Sequence, residues 1–579
     1  MKSDSVDSVT YQRQRIKHFW PFQSGRRPIL QWLIFLSSLV LLYVMALWSY
    51  RSGDRTTAHV PLPRPFLQHL NRTQTPSGDT PLASTAPPGL SVEEWQHLLK
   101  AIDWGGPESQ VTSANRSTSP YRSTFTIDNL KQSYSVGEEL HATIFARDFT
   151  GQSKGYGGDF FQAKVYSNKL KASVFGEVLD HQNGTYSARF ILPWPGKASV
   201  AVRLIHSSEA VQVLKRHRRT ESNRIYFYGF FVGKDGNGTE VKESIVCNVK
   251  WAGVVLSPGE QKNCEYRDVR TGLTWQCRRP RVLPCDALMY HSAGGYAKTM
   301  TTLEQQLMDR RKVVNKWLKA DPRLITINAS NATVGAKNLC GPGLSTPIPA
   351  GFYLNNVWTS FVCATRHFAV KDTTQCLKDK HVYIMGDSTS RQWFDYLISS
   401  VPTLKRMNLH TEGQVGPLMA VDVQNNADLH WRAHGLPLRC RKTPFTSLQY
   451  ISNVLDEMVG GPQTVFVFNM WAHFTNYPLS YFAHRVALVR RAVVALLRRA
   501  PGTKVVIKTA NTGYKDIYGS DWFSMQLDGI LREAFRDVGV YILDVWQMTA
   551  CHSNPEGIHP APVIIKNEVD ILLSFMCPR

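Results

Sequence analysis

The sequence predicts a multidomain chain: an Ig-like β-sandwich, a small cysteine-rich module, then a three-layer α/β domain with a mostly parallel sheet. Three observations predict it. Short runs alternating apolar and polar residues, broken by turn dipeptides, fill residues 125–206. Four cysteines, Cys247, Cys264, Cys277 and Cys285, follow within 39 residues. From about Lys380 the rhythm changes to apolar strands separated by helical stretches. At 579 residues and 43% hydrophobic, the chain has enough apolar surface for several cores.

Residues 1–27 read as a cytoplasmic tail and residues 28–50 as a transmembrane signal-anchor. The segment 28–50 is uncharged and mostly apolar, with Trp32, Trp48 and Tyr50 near its ends, and about 20 such residues span a bilayer. Lys2, Arg13, Arg15, Lys17, Arg26 and Arg27 precede it against Asp4 and Asp7, which keeps the N-terminus cytosolic and everything after Arg51 lumenal. No small-residue cleavage site stands clear after the apolar run. All ten cysteines lie on the lumenal side, an even set in an oxidising compartment that reads as disulfides. Six sequons, at Asn71, Asn115, Asn183, Asn237, Asn328 and Asn331, mark glycosylation sites of a lumenal chain.

Residues 51–120 are rich in Pro, Ser and Thr and read as an extended stem, interrupted by one short helix at 91–102, where Ser91 and Glu94 form a capping box. The β-sandwich takes residues 121–215, with Asn183-Gly184 and Pro195-Gly196 between its strands. The cysteine module takes 216–300, with little hydrophobic core of its own, and 301–370 connects it onward. In the last domain, 371–579, strands are expected at 382–385, 428–432, 464–468, 505–507 and 540–543. Helices are expected at 391–399, 479–499, 522–538 and 562–575. Sites in such sheets gather at the carboxyl ends of the strands.

The formal charge is +22. Residues from Lys371 onward carry 22 basic and 18 acidic side chains, a net of +4; the tail carries another +4, leaving +14 on residues 51–370. With lumenal topology nucleic acid is a poor partner and acidic glycans or acidic membrane surfaces are better ones; the alternative is a solvated basic surface that binds nothing in particular. The run Arg216-His217-Arg218-Arg219 matches the Arg-x-x-Arg pattern of secretory convertases, but is read here as a basic surface loop that is not cut.

Gly386-Asp387-Ser388 follows the strand 382–385 and precedes a helix, so the Ser388 hydroxyl is pushed out of the sheet as a candidate nucleophile. His559, in a Gly/Pro loop after the last strand, is the candidate base. Glu556, three residues earlier, is its candidate orienting acid, with Asp544 at the end of its strand as the alternative. Arg391, on the first helical turn, is placed to bind an acyl or acidic group; Asn469 and Gly435, at strand ends, are candidate oxyanion donors. His473 reads as structural. No metal-ligand spacing and no cofactor fingerprint is present.

These residues carry a resemblance. Gly386-Asp387-Ser388 with a C-terminal histidine resembles the GDSL/SGNH superfamily, specifically its PC-esterase branch of glycan O-acetyltransferases, as do Phe468-Asn469 and Arg391. Gly157-Gly158-Asp159, Trp194-Pro195-Gly196-Lys197 and the four-cysteine stretch resemble neurexophilin. Over roughly residues 120–579 the chain resembles the neurexophilin and PC-esterase domain family. Glu556 departs from the branch's Asp-x-x-His, and the longer side chain must reach the imidazole by another path. The resemblance implies an SGNH-like catalytic domain without bound cofactor, taking acetyl from acetyl-CoA or another acetyl donor. It also implies a type II Golgi-lumenal O-acetyltransferase acting through acyl-Ser388 on glycans, with sialic acid the first acceptor to test. A carbohydrate acetylesterase, or a secreted or cell-surface neurexophilin-like binding protein, is the alternative.

Overall fold

The computed structural model describes residues 86–578 except 108–111, 221–224, 253, 255, 257–262, 298, 321–322, 333, 412–413, 514 and 555–556. The expected tail, anchor and most of the stem, with Asn71, lie outside these residues. Among the described residues no helix is long and apolar enough to cross a membrane. The stem helix is present at Val92–Ala101, with Ser91 and Glu94 closing the capping box.

Strands from residues 124–206 and 316–360 build an eleven-stranded sheet rather than a free-standing sandwich. Its continuity runs through the strand Ala172–Asp180. The residues from Ala172 to Gly176 pair with Phe160–Ser167, while those from Glu177 to Asp180 pair with Thr185–Ile191. At the changeover sits Gly176, where a Cβ would collide with the Phe190 ring. One strand thus belongs to both layers, and the sheet curls into a half-barrel around Val165, Val174, Phe190, Trp194 and Val200. The segment expected merely to connect also contributes. Leu324–Asn328 pairs with Gly196–His206 on one side and Tyr134–Ser135 on the other, and Gly351–Leu354 pairs with Ala172–Asp180.

The cysteine-rich stretch forms a six-stranded antiparallel sheet, ordered Cys264–Arg267, Thr274–Cys277, Glu240–Val249, Ile225–Lys234, Leu288–Tyr296 and Thr443–Pro444. Its last strand comes from the C-terminal region, and Phe227, Phe231 and Cys247 share a core with Ile451, Phe466 and Val486. It is not a separate module. Disulfides join Cys247–Cys277, Cys264–Cys285, Cys340–Cys363 and Cys376–Cys577, whereas Cys440 and Cys551 are free and buried. The reading of all ten cysteines as bridged is therefore corrected to eight.

The C-terminal sheet has seven strands, ordered Lys405–Arg406, Leu418–Asp422, Ala427–Ala433, His381–Gly386, Thr464–Phe468, Lys504–Lys508 and Tyr541–Leu543. It is mixed: Leu418–Asp422 runs antiparallel to both of its neighbours, because Gln424-Asn425-Asn426 turns the chain back into Ala427–Ala433 as a hairpin with Asn426 at φ 50°. The expected fold class, an Ig-like sandwich and a cysteine module followed by a three-layer α/β domain with a parallel sheet, is thus overturned. Mixed and antiparallel sheets share strands and cores across the expected boundaries.

The Arg216–Arg219 run is no surface loop either. It lies in the helix Ser208–Thr220, with His217 and Arg218 buried, Arg216 paired with Glu304, and Arg218 stacked on Trp522 and Phe523. Of the basic clusters upstream, Arg278 to Arg281 and Arg310 to Lys312 present their charges at the surface.

Candidate active site

Val382, Ile384 and Met385 are buried in the centre of the C-terminal sheet, hydrogen-bonded in register between Ala427–Ala433 and Thr464–Phe468. At the strand's carboxyl end the backbone turns through Gly386 and Asp387 into the helix Ser388–Ser400. Asp387 caps that helix. Its Oδ1 accepts from the Thr389 amide (2.9 Å), the Thr389 hydroxyl (2.7 Å) and Asn469 Nδ2 (2.9 Å), and its own amide donates to Asn469 Oδ1 (3.0 Å). Burial pushes the Asp387 carboxyl up, but the nearby His473 and these hydrogen bonds outweigh it and hold the group below its ordinary value.

Ser388, the first residue of the helix and half-buried, places Oγ 2.7 Å from His559 Nε2. With the ring neutral and Nε2 unprotonated, the hydroxyl donates to it. The loop bearing His559 is held on both flanks: Asn511 Nδ2 donates to the Ile558 carbonyl (2.9 Å) and Gln392 Nε2 to the Pro560 carbonyl (3.3 Å). Gly513 packs so closely on Gly557 and Ile558 that a Cβ there would strike their backbone. Partial desolvation lowers the His559 pKa below 6.5; Asp387 opposes this, and the charges of Arg391 and Lys508 add to it. The ring is therefore a free base at neutral pH, beside a hydroxyl at a helix N-terminus whose dipole favours developing negative charge.

Arg391 is half-buried on the same helix, its guanidinium 5.8 Å above the Trp431 ring and its Nε 3.6 Å from Asp395. Gly435, at φ 78°, lies just past the strand Ala427–Ala433, and the preceding residue, His434, donates its amide to the Gly386 carbonyl (3.2 Å). Asn469 does not match its expected role. Fully buried, it directs both Nδ2 hydrogens to Asp387 and Thr389, so it shapes the turn and has none left for an oxyanion. Asp544 is also committed elsewhere, to Arg532 (2.9 Å) and Gln547. Glu556 lies outside the described residues. Asn115, Asn183, Asn237, Asn328 and Asn331 are all exposed.

His473, expected to be structural, is half-buried with its Nδ1 3.0 Å from His434 Nε2, and desolvation depresses its pKa to about 4. Lys508, whose Nζ donates to Asn511 Oδ1 (2.7 Å), is buried below the site. Sequence reasoning missed Asp387, Asn511 and Gly513 as positioning residues. Their signal was there: Lys508 to Gly513 is a polar run at a strand's carboxyl end, the same sheet edge as Ser388. Among the described residues no group of three or more His, Cys, Asp or Glu side chains is arranged to hold a metal.

Comparison with known proteins gives the context. Residues 358–577 match the family model "NXPE family member 4-like, C-terminal domain", and residues 108–305 match the family model "Neurexophilin". Among solved structures, invasin, a bacterial integrin-binding protein, is 11% identical over 55% of this chain and 60% of its own, with a TM-score of 0.12 that carries no argument. The two family matches fall in order along one chain, and the second contains the Ser388 turn and His559. The two matches reproduce the two-domain layout of the neurexophilin and PC-esterase domain family, a neurexophilin region followed by a PC-esterase-like one.

Proposed function

We propose that this protein is a serine-dependent O-acyltransferase of the secretory pathway. The observation that carries the reading is the 2.7 Å approach of Ser388 Oγ to His559 Nε2 at a strand-to-helix turn. In the first half-reaction His559 takes the Ser388 proton as Oγ attacks the donor's acyl carbonyl, and the leaving group departs with that proton, leaving an acyl ester on Ser388. In the second, His559 takes the proton of an acceptor hydroxyl, whose oxygen attacks the ester; Ser388 recovers its proton and the acylated acceptor leaves. Arg391 is the residue nearest the turn to bind an acidic group, and the Gly435 backbone flanks the same turn.

Acetyl is the acyl group, an acetyl donor such as acetyl-CoA the co-substrate, and a glycan the acceptor, with sialic acid first. The basic half at 51–370 and the exposed Arg278 to Arg281 and Arg310 to Lys312 clusters support an acidic acceptor. The four disulfides support an oxidising compartment, and residues 28–50 a Golgi membrane anchor.

The experiment is acetyl transfer by the full-length protein to a panel of sialylated and neutral glycans, with a water-only arm, for wild type and Ser388→Ala. Transfer to a glycan that falls on the order of 10⁶-fold in the variant supports the reading. Release of acetate to water alone makes the protein an esterase. Equal activity in both proteins rejects the site.

A further inference from the structure

A second site lies away from Ser388. A cavity of about 380 Å³ opens between the strand Ala172–Asp180 of the curled sheet and the helix Asp521–Ala534 of the C-terminal region, within the size range of small-molecule pockets. Neither Ser388 nor His559 lines it.

Its charge runs opposite to that of the chain. In a protein of formal charge +22, the cavity is lined by Asp159, Glu177, Asp180, Asp528 and Asp544 against one cation, Arg532. Arg532 binds Asp528 (2.8 Å) and Asp544 (2.9 Å). Asp159 and Asp180 are met by neutral donors: Asp159 by the Ser208 amide and the Tyr186 hydroxyl, Asp180 by the Gly158 and Gln182 amides. Glu177 pairs with Arg189, which stands outside the lining. The carboxylates outnumber the cations facing them.

The walls are aromatic. Trp104 and Phe160 meet at 90° with ring centroids 5.7 Å apart, forming a corner that Phe161 and Trp546 extend. Ring faces beside carboxylates attract organic cations, for which the ring quadrupole and the negative charge act together. One lining residue also buries an acceptor without a hydrogen bond: Asp528, 8% exposed, at Oδ1. Such an orphaned acceptor is rare in a finished interior and awaits a donor or a positive charge. A bare metal ion does not fit, since no three of these carboxylates converge.

We propose that this cavity binds an organic ammonium cation, held by the aromatic corner and the uncompensated carboxylates. Trp104, Thr346 and Ile348 lie outside both family-matched segments, and the other lining residues come from one or the other of them, so a bound cation bridges the two regions. The probe is choline, titrated into the full-length protein by calorimetry and by thermal unfolding, against sodium chloride of equal ionic strength and against N-acetylglucosamine. Choline is expected to bind at one saturable site and to raise the unfolding temperature. Asp180→Asn, which removes a carboxylate met only by neutral donors, should weaken it about tenfold, and the rim variant Glu177→Gln, which leaves the buried groups in place, should weaken it measurably. Absence of choline binding at millimolar concentration overturns the proposal. So does N-acetylglucosamine binding in its place, or choline affinity unchanged in both folded variants.

Discussion

Gly386 and Asn469 touch where no side chain has room: a Cβ built on Gly386 would overlap Asn469 Oδ1. That contact lets the carboxamide reach across two strands and fasten the Asp387 amide and carboxylate together. Asn469→Ala removes three hydrogen bonds among buried groups and leaves Asp387 less well paired. Urea unfolding should show a loss of about 3 kcal/mol. A mere oxyanion donor would cost activity without this loss. Gly386→Ala should be at least as damaging, because the overlapped atom is pinned and cannot yield.

The acid limb of the pH–rate profile follows from His559. The base must be neutral to accept the Ser388 proton, and its pKa lies below 6.5, so kcat/KM should hold to below pH 6.5 before falling. Arg391 contributes to that lowering. Arg391→Gln should therefore move the limb to higher pH, whatever it does to the plateau. A limb that stays in place, or shifts downward, contradicts the electrostatic link.

Several histidines make the fold acid-sensitive. Burial lowers His291 to a pKa of about 3 and His473 and His552 to about 4, and His434 is depressed with them. In each case the unfolded chain binds the proton more readily, so this stability is complete above pH 6.5 and is lost as pH falls toward the folded values. The sign is fixed: unfolding free energy should decline between pH 6.5 and 4, by up to about 1.4 kcal/mol per pH unit for each such histidine. Urea titrations at neutral and mildly acidic pH measure it directly.

Thiol chemistry offers a count. Burial pushes Cys440 and Cys551 up to about 11, so neither should react with an alkylating reagent in the native protein at neutral pH. Denatured without reductant, the chain should take up label at these two positions and at no other cysteine. Label elsewhere would contradict the four pairings.

How much of this was legible beforehand varies by element. The Ser388 turn was readable because an apolar strand, a small tripeptide and a helix follow one another locally, and His559 because a Gly/Pro loop follows the last strand. Asn469 was placed at the right strand end with the wrong task. Nothing in a linear sequence says whether an amide faces the cleft or the turn beneath it. Asp544 misled for the same reason, since its partner Arg532 comes from another helix. The fold class failed where pairing is long-range. No local pattern announces that Thr443–Pro444 completes the cysteine-rich sheet, or that one strand bending at Gly176 makes two layers into one.

That sharing of strands has a bearing on how the chain is made. Ribosomes deliver residues in order, at about 5–20 per second, and the half-barrel cannot close on what emerges first. The edge of Gly196–His206 waits for Leu324–Asn328, and the outer flank of Ala172–Asp180 waits for Gly351–Leu354. For the whole interval, including synthesis of five of the paired cysteines, the first sheet carries unpaired backbone donors and acceptors. Until those strands arrive, these edges are open to pairing with other chains, a hazard that ends only when the later strands cover them.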